Sequence, residues 1–294
     1  MNSVSIRVTA CLFLTFCVAW AQADDKVLLQ YKFQEGQVVR YSVSDRDDYS
    51  ILVAQDQDNP FTAQKSVKQY RVTKVNADGS AVLEVMFESV KLTMRSGGKT
   101  QEFDTEAAGN ANDPVFATLQ AIVGKPHVQV TAATNGQLSD VKPLVEGAGQ
   151  PDEISKNALD AFITLPGEPI AVGTAWREDF NVPVKVNERL SKSVKLQRRF
   201  YFQSLEDGKA TITFETKILS PITDPDEEIQ LIQRPTRGRI VLDMNRGIVV
   251  EKTVSLDNAV TGFGGIASSM TLKKLHQEVL LDARVAAAEG RSTN

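Results

Sequence analysis

Cysteine is almost absent from this chain, and the positions of the few that occur exclude several kinds of site. The 294 residues contain two cysteines, Cys11 and Cys17. Both lie in a segment typical of a secretory signal, with Arg7 near the start, an apolar run over residues 8–20 and small residues up to a cleavage site after Ala23. Cleavage there leaves a mature chain without cysteine. We therefore expect no disulfide, thiolate metal site or cysteine nucleophile.

Long apolar runs and an excess of positive charge are also missing. The run at residues 8–20 is shorter than the roughly 20 residues that cross a bilayer, so we expect no transmembrane segment in the mature chain. Lysine and arginine number 33, against 37 aspartates and glutamates. A mildly acidic protein lacks the basic surface that nucleic acid requires. These features predict a secreted or periplasmic protein that binds no nucleic acid.

Residue types that usually build catalytic centres are few. The two histidines, His127 and His276, accompany neither a G-x-S-x-G elbow nor an H-E-x-x-H pair, and we interpret each as a structural or surface residue. Trp176 is interpreted as a core anchor at the start of a strand. The glycine-rich residues 262–265 lack the Lys and Ser/Thr of a phosphate loop and indicate a bend. We predict a protein that is not an enzyme, with no catalytic, cofactor-binding or metal-binding residues and no cofactor.

Three acidic stretches are the candidates for calcium. Residues 56–59 begin like a calcium loop, but Pro60 follows them and Val67 stands where a bidentate glutamate belongs. Residues 45–48 and 224–228 are interpreted as solvated loops, with calcium as the open alternative. The paired carboxylates of a glycoside hydrolase are also left open, because such partners meet only in space.

Alternating apolar and polar residues dominate the rest of the chain. Residues 27–33 and 38–43 alternate with a period of two, which is typical of strands with one buried face. The clearest hairpin joins residues 70–75 to residues 81–87 around Asp78-Gly79, where glycine supplies the positive φ of a tight turn.

Two amphipathic helices are predicted between the strands. The first begins near Asp113 and Pro114 and ends at Gly124. Its apolar face consists of Val115, Phe116, Leu119, Ile122 and Val123. The second follows residues 151–152 and ends at residues 166–167. Its apolar side consists of Ile154, Ala158, Leu159 and Phe162.

The same series of motifs occurs twice. An entry segment at residues 35–40 corresponds to residues 172–177, the turn Asp78-Gly79 to Asp207-Gly208, and Asn135-Gly136 to Arg246-Gly247. We interpret the order as an old duplication with halves at about residues 27–145 and 168–282. The alternative is that antiparallel proteins reuse such turns. The predicted organisation is a signal peptide at 1–23, a single β-rich unit at 24–282 and a flexible tail at 283–294.

Several of these segments resemble a known family. Residues 31–36, 78–81, 172–176 and 239–243, followed by Arg246-Gly247, resemble an uncharacterised family of secreted proteins that is defined by a domain of unknown function and is common in planctomycete-type bacteria. The resemblance implies no site residues, because such families have none assigned. The strand-rich layout is also similar to the half-barrel sheets of periplasmic lipid-carrier proteins, which hold an apolar ligand under a helix.

Together these observations predict a mainly β fold: an antiparallel curved sheet or half-barrel built from two related halves, with two amphipathic helices. The expected function is non-enzymatic binding of an apolar small molecule or lipid, since long strands under amphipathic helices can enclose an apolar pocket. The alternative is an envelope or surface structural module that contacts an envelope protein. A third hypothesis is a hydrolase whose site is not visible in the sequence.

Overall fold

One antiparallel β-sheet makes up most of the described chain. The structure, a computed structural model, describes residues 26–107, 116–145 and 162–285. The strands in chain order are β1 (Gln37–Val53), β2 (Asp56–Asp58), β3 (Phe61–Val75), β4 (Ala81–Ser96), β5 (Lys99–Asp104), β6 (Pro126–Ala132), β7 (Leu138–Pro143), β8 (Ala175–Lys185), β9 (Ser191–Glu206), β10 (Lys209–Ile218), β11 (Arg237–Asp243), β12 (Ile248–Thr261) and β13 (Ser268–Val285). Among the residues that the structure describes, two short helices, α1 (Ala117–Ile122) and α2 (Pro225–Glu228), and a 3-10 turn (Ile229–Leu231) lie between strands. The prediction of a mainly β, antiparallel fold is confirmed.

The sheet is a meander in which the first and last long strands meet at the centre. The strand order is β7-β6-β4-β3-β1-β13-β12-β11-β10-β9-β8, with β2 paired to β1 and β5 paired to β4. The chain runs outward from β1 to β7, crosses to the opposite edge at β8 and returns inward to β13. Pairing of β1 with β13 extends from Gln37 opposite Val285 to Val53 opposite Ser268. Within the described residues β7 and β8 do not pair, so the sheet is open.

The repeated motifs occupy corresponding places in the two runs of strands. Each of the three motif pairs contains a glycine at the start of an entry strand or in a hairpin turn, and all six glycines have φ between 64° and 91°. They are Gly36 and Gly173, Gly79 and Gly208, and Gly136 and Gly247. Only glycine adopts this conformation without a Cβ penalty. The shared order supports the interpretation of two related halves, and duplication stays a prediction.

The segment that precedes β1 differs from its prediction. Residues 27–33 bury Leu29 and Tyr31, as their alternation predicts, yet their strand pairing is a single bridge between Val27 and Ile170. The backbone N–H of Tyr31 donates to Thr134 O (2.7 Å), and that of Lys32 donates to Gly247 O (3.1 Å). This crossing segment therefore lies over the end of the sheet that carries the turns at residues 76–80, 133–137 and 244–247, the turn end. The strand prediction was wrong because a segment that packs one side onto a sheet alternates as a strand does.

The helix predictions are partly within the described chain. Residues 117–122 are helical and Gly124 (φ 75°) follows the last turn, as predicted. Phe116 is buried and its ring lies 5.2 Å from that of Phe103. Asp113, Pro114 and Val115 lie outside the described residues, as do Ile154, Ala158 and Leu159 and the predicted signal at residues 1–23. No helix in the described ranges combines the length and apolar character needed to cross a membrane.

Two acidic stretches that were predicted as loops have regular structure. Residues 45–48 lie inside β1, so the loop interpretation was wrong there. Residues 225–228 form α2, and the side chain of Asp224 caps this helix by accepting a hydrogen bond from Asp226 N (2.9 Å). At the other end of the chain, β13 continues to Val285, past the predicted start of the tail at residue 283.

The two largest hydrophobic clusters belong to the two halves and meet at the crossing segment. The first is built mainly from β1, β3, β4 and β6 and includes Ile248 of β12. The second is built from β9 to β12 and includes Leu29 and Tyr31 of the crossing segment. Phe33 and Phe162 pack against both clusters. We call the side of the sheet that carries Val39, Tyr41 and Val43 the core face, and the opposite side the outer face.

Candidate functional site

An apolar cavity lies at the turn end of the core face, where the two clusters meet. Its volume is about 30 Å³, enough for about two water molecules. The first half contributes walls that include Tyr41, Tyr70 and Val72, and β12 contributes Ile248 and Val249. The crossing segment closes the cavity with Tyr31 and Phe33, and Phe162 completes it. Both halves of the chain therefore build one small apolar space.

Aromatic rings form much of the cavity wall. The ring of Phe162 lies 5.0 Å from that of Tyr31 and 5.8 Å from that of Tyr70, between ring centroids. The tyrosine hydroxyls are satisfied by backbone: Tyr41 donates to Val249 O (2.8 Å), and Tyr31 accepts from Ile163 N (3.0 Å). Burial raises the pKa of Tyr31 and Tyr41 above the usual value, so both stay neutral.

A group of five charged or titratable side chains, four of them buried, lies beside this cavity on the core face. Lys68 on β3 is directly opposite Tyr41, and its Nζ is 3.3 Å from Glu278 Oε1 on β13. Lys252 on β12 is directly opposite Glu278 in the strand register. The His276 Nδ1 atom lies 2.6 Å from Asp45 Oδ1, and its Nε2 atom lies 3.7 Å from Glu278 Oε1. These five residues, Asp45, Lys68, Lys252, His276 and Glu278, are called the charge cluster below.

The charge cluster keeps Glu278 ionised although it is completely buried. Burial alone raises the pKa of a carboxyl group, because the charged form loses its hydration. Lys68, Lys252 and His276 oppose that effect and hold the pKa of Glu278 at about 2. At neutral pH the side chain is therefore a carboxylate that balances the buried ammonium groups.

Several buried polar atoms in and beside the charge cluster have no hydrogen-bond partner. They are Glu278 Oε2, His276 Nε2 and Ser66 Oγ. Ser66 lies on β3 opposite Val43, which is opposite Glu278 on the other side. An unsatisfied buried group costs about 1–3 kcal/mol, and native proteins usually place a water, an ion or a ligand at such atoms.

Sequence reasoning missed the charge cluster. His276 was interpreted as structural or surface, and residues 45–48 as a loop. The sequence of β13 did contain a signal. His276 and Glu278 are an even number of residues from Leu272 and Leu280, so all four side chains lie on the same, buried face of the strand. Nothing in the local sequence shows that Lys68 and Asp45 face them. These contacts depend on the register of β1 with β3 and β13.

The other singled-out residues have structural surroundings. The ring of His127 stacks on that of Phe87 (5.2 Å, 9°), and burial lowers the pKa of His127 to about 4. Trp176 begins β8, stacks on Phe200 (5.2 Å) and donates from Nε1 to Thr164 O (2.8 Å), which fits the predicted core anchor. Residues 262–265 form the turn before β13, where Gly262, Gly264 and Gly265 all have positive φ.

The acidic stretches are engaged with protein groups. The carboxylate of Asp58 accepts from the backbone N–H groups of Asn59 (2.9 Å) and Gly97 (3.2 Å). Arg46 pairs with Asp48 on the outer face (2.7 Å), and Glu227 pairs with Lys192. In the ranges that the structure describes, no group of three or more histidine, cysteine, aspartate or glutamate side chains is placed to hold a metal ion.

Comparison with known proteins gives a family match and a fold match. DUF6263, described as a family of unknown function, matches residues 78–146. No curated protein matches the chain. A structure described as lipid-protein interactions in lipovitellin is similar with a TM-score of 0.51 and 12% identity, covering 89% of this chain. The chain spans 27% of that lipovitellin chain.

A second structure is much less similar. It is a DUF1329 family protein from Desulfovibrio piger, with a TM-score of 0.17, 8% identity, and coverage of 85% of this chain and 87% of that one. The expected likeness to a family of unknown function is therefore found over residues 78–146, and the planctomycete-type origin stays a prediction. The likeness to lipovitellin concerns the fold alone.

Proposed function

We propose that this protein is a secreted or periplasmic, non-enzymatic binding protein for an apolar ligand such as a lipid. The observation that carries the proposal is the apolar cavity whose walls come from both halves and whose cover is the crossing segment. The fold likeness to lipovitellin, a protein described for its lipid-protein interactions, supports the same class of ligand.

The cavity has to enlarge before it holds an organic molecule. Its volume of about 30 Å³ is far below the roughly 300–1,000 Å³ of typical ligand pockets. Phe33 and Phe162 are only partly buried and are held by ring contacts rather than hydrogen bonds of their side chains. Displacing these rings adds their volume to the cavity, and the ligand then replaces the apolar surface that they covered. In this proposal the two rings stand where the ligand would pack.

A non-enzymatic role is supported by the surroundings of His276. Asp45 orients this imidazole as a carboxylate orients a catalytic base, but a base also needs a nucleophile within hydrogen-bond reach. Among the described residues, His276 Nε2 has no such partner, and its neighbour is the Glu278 carboxylate at 3.7 Å. The imidazole is thus placed between two acids, Asp45 and Glu278.

A surface structural role is the second candidate. Leu275, Val279 and Leu281 on β13 are 42%, 48% and 50% exposed. Leu275 and Val279 lie on the outer face near the centre of the sheet, opposite Arg46 and Ser42 of β1. Exposed apolar groups in one area favour contact with another protein. A defined oligomer or a co-purifying envelope protein would favour this function over ligand binding.

The first test is native mass spectrometry of the protein purified from its own host, followed by organic extraction and lipid analysis. We expect a stoichiometric apolar molecule. The second test titrates a fluorescent apolar probe against wild type and the cavity-filling variant Val72→Phe, which we expect to lower affinity about tenfold. Val279→Phe on the outer face is the matched control and should bind as wild type does. Absence of both an extracted molecule and probe binding would refute the proposal.

A further inference from the structure

The unpartnered polar atoms lie close to the apolar cavity. Tyr41 is a wall of the cavity, and Lys68 is its direct neighbour on β3. Glu278 is the diagonal neighbour of Tyr41 on β13, a position about 7–8 Å away between Cα atoms. Ser66 is four residues from Tyr70 on the same face of β3, or about 13 Å along the strand. None of the residues that carry the unpartnered atoms lines the cavity itself, so a molecule whose apolar part occupies the cavity has to extend past Tyr41 and Lys68 to bring its other end to these atoms.

These atoms are buried side-chain groups with unused hydrogen-bonding capacity. Ser66, His276 and Glu278 are 5%, 9% and 0% exposed, and Ser66 Oγ, His276 Nε2 and Glu278 Oε2 are all without partners. Glu278 Oε2 can only accept a hydrogen bond, because the carboxylate is ionised. Ser66 Oγ can donate and accept. His276 Nδ1 donates to Asp45, which leaves Nε2 as an acceptor in the neutral ring and a donor in the charged ring.

The surrounding charges select the kind of group that fits. Lys68 and Lys252 balance Asp45 and Glu278 in the charge cluster, and His276 is placed between the two acids. A ligand carboxylate or ammonium would add a buried charge without a dedicated counter-charge, which is costly in a buried site. A hydroxyl group donates to Glu278 Oε2 and exchanges a hydrogen bond with Ser66 or His276 without changing the charge balance.

We propose that Ser66, His276 and Glu278 form a subsite for the hydroxyl-bearing end of an amphiphilic ligand whose apolar body lies in the cavity. This inference rests on the proposed binding function and specifies its ligand as an apolar alcohol. Glu278 accepts from the ligand hydroxyl, and Ser66 supplies the second hydrogen bond. The charge cluster holds Glu278 ionised and in place.

Competition binding with the full chain tests the subsite. Dodecanol, dodecyl methyl ether and dodecylammonium displace a fluorescent apolar probe from wild type, from Ser66→Ala and from Ser42→Ala. We expect dodecanol to bind about tenfold more tightly than the ether, because only the alcohol donates to the carboxylate. Ser66→Ala should weaken the binding of dodecanol and of the ether alike, by about threefold, because Ser66 donates to the oxygen atom that both compounds carry. Ser42, an exposed serine on β1, is the matched control, and Ser42→Ala should bind both compounds as wild type does.

The outcomes separate the two proposals. If no compound displaces the probe because the probe itself does not bind, the binding function fails. If dodecanol and the ether bind equally to wild type, the binding function stands and the subsite is refuted, its polar atoms being satisfied by water. A preference for dodecylammonium, or dodecanol binding that is unchanged in Ser66→Ala, would also overturn it. The unfolding midpoint of Ser66→Ala should equal or exceed that of wild type, because its hydroxyl has no partner to lose.

Discussion

Substitution of Glu278 by glutamine removes the central negative charge of the charge cluster and keeps the shape of the side chain. Lys68 then remains buried, at 2% exposure, without the carboxylate that pairs with it. Breaking a buried ion pair by removing one partner costs about 3–5 kcal/mol, since the other charge is left uncompensated. We expect Glu278→Gln to fold and to be clearly less stable than wild type at pH 7.

The magnitude follows from the pKa of Glu278. The folded-state pKa of about 2 lies below the usual value of 4.5. Because the folded pKa is the lower one, the carboxylate stabilises the protein fully above pH 4.5 and its contribution disappears as the pH falls through 2. The difference corresponds to about 3 kcal/mol at pH 7 and to about 1 kcal/mol at pH 3. The cost of Glu278→Gln should therefore shrink as the solution is acidified.

Urea unfolding followed by the fluorescence of Trp176 measures this cost. Wild type and Glu278→Gln are compared at pH 7, 5, 4 and 3, so that other acid-sensitive groups cancel in the difference. Glu215→Gln is the matched control, because Glu215 is exposed and pairs with Lys217 on the surface. It should change stability by less than about 0.5 kcal/mol at every pH. A cost of Glu278→Gln that is the same at pH 7 and pH 3 would refute the electrostatic reasoning.

Two further substitutions test the cover of the cavity. In Gly247→Ala the new Cβ would lie 2.4 Å from Lys32 N, so we expect it to lower the free energy of unfolding by about 2 kcal/mol or more beyond Gly264→Ala, where φ is similar and the space is open. Equal losses of stability in urea unfolding would show that the crossing segment does not pack tightly here. Phe162→Ala should lower the free energy of unfolding by about 2–3 kcal/mol and should bind the fluorescent apolar probe more tightly, because it enlarges the cavity. Unchanged affinity would contradict the idea that this ring occupies the ligand's place.

Much of the fold follows from the local sequence, because strand alternation and turn conformation depend on residues that are close together in the chain. Alternation with a period of two identified parts of β1, β3 and β4, and glycine marked the turns at Gly79, Gly136, Gly208 and Gly247, where positive φ is required. The crossing segment shows the limit of this reasoning. Its alternation reports that one side is buried, and only the contact of Lys32 with Gly247 shows that it crosses the sheet instead of joining it.

The candidate site was decided by tertiary structure. Asp45 and His276 are separated by 231 positions in the chain, and Lys68 and Glu278 by 210. They meet because the chain crosses the sheet after β7 and returns to pair β13 with β1, which places the first and last long strands at the centre of the sheet. The composition of the chain and the spacing of its residues do not indicate the register of this strand pairing. The strands and turns were set by residues that are neighbours in the sequence. The cavity and the charge cluster arise from the pairing of strands that are far apart in the chain.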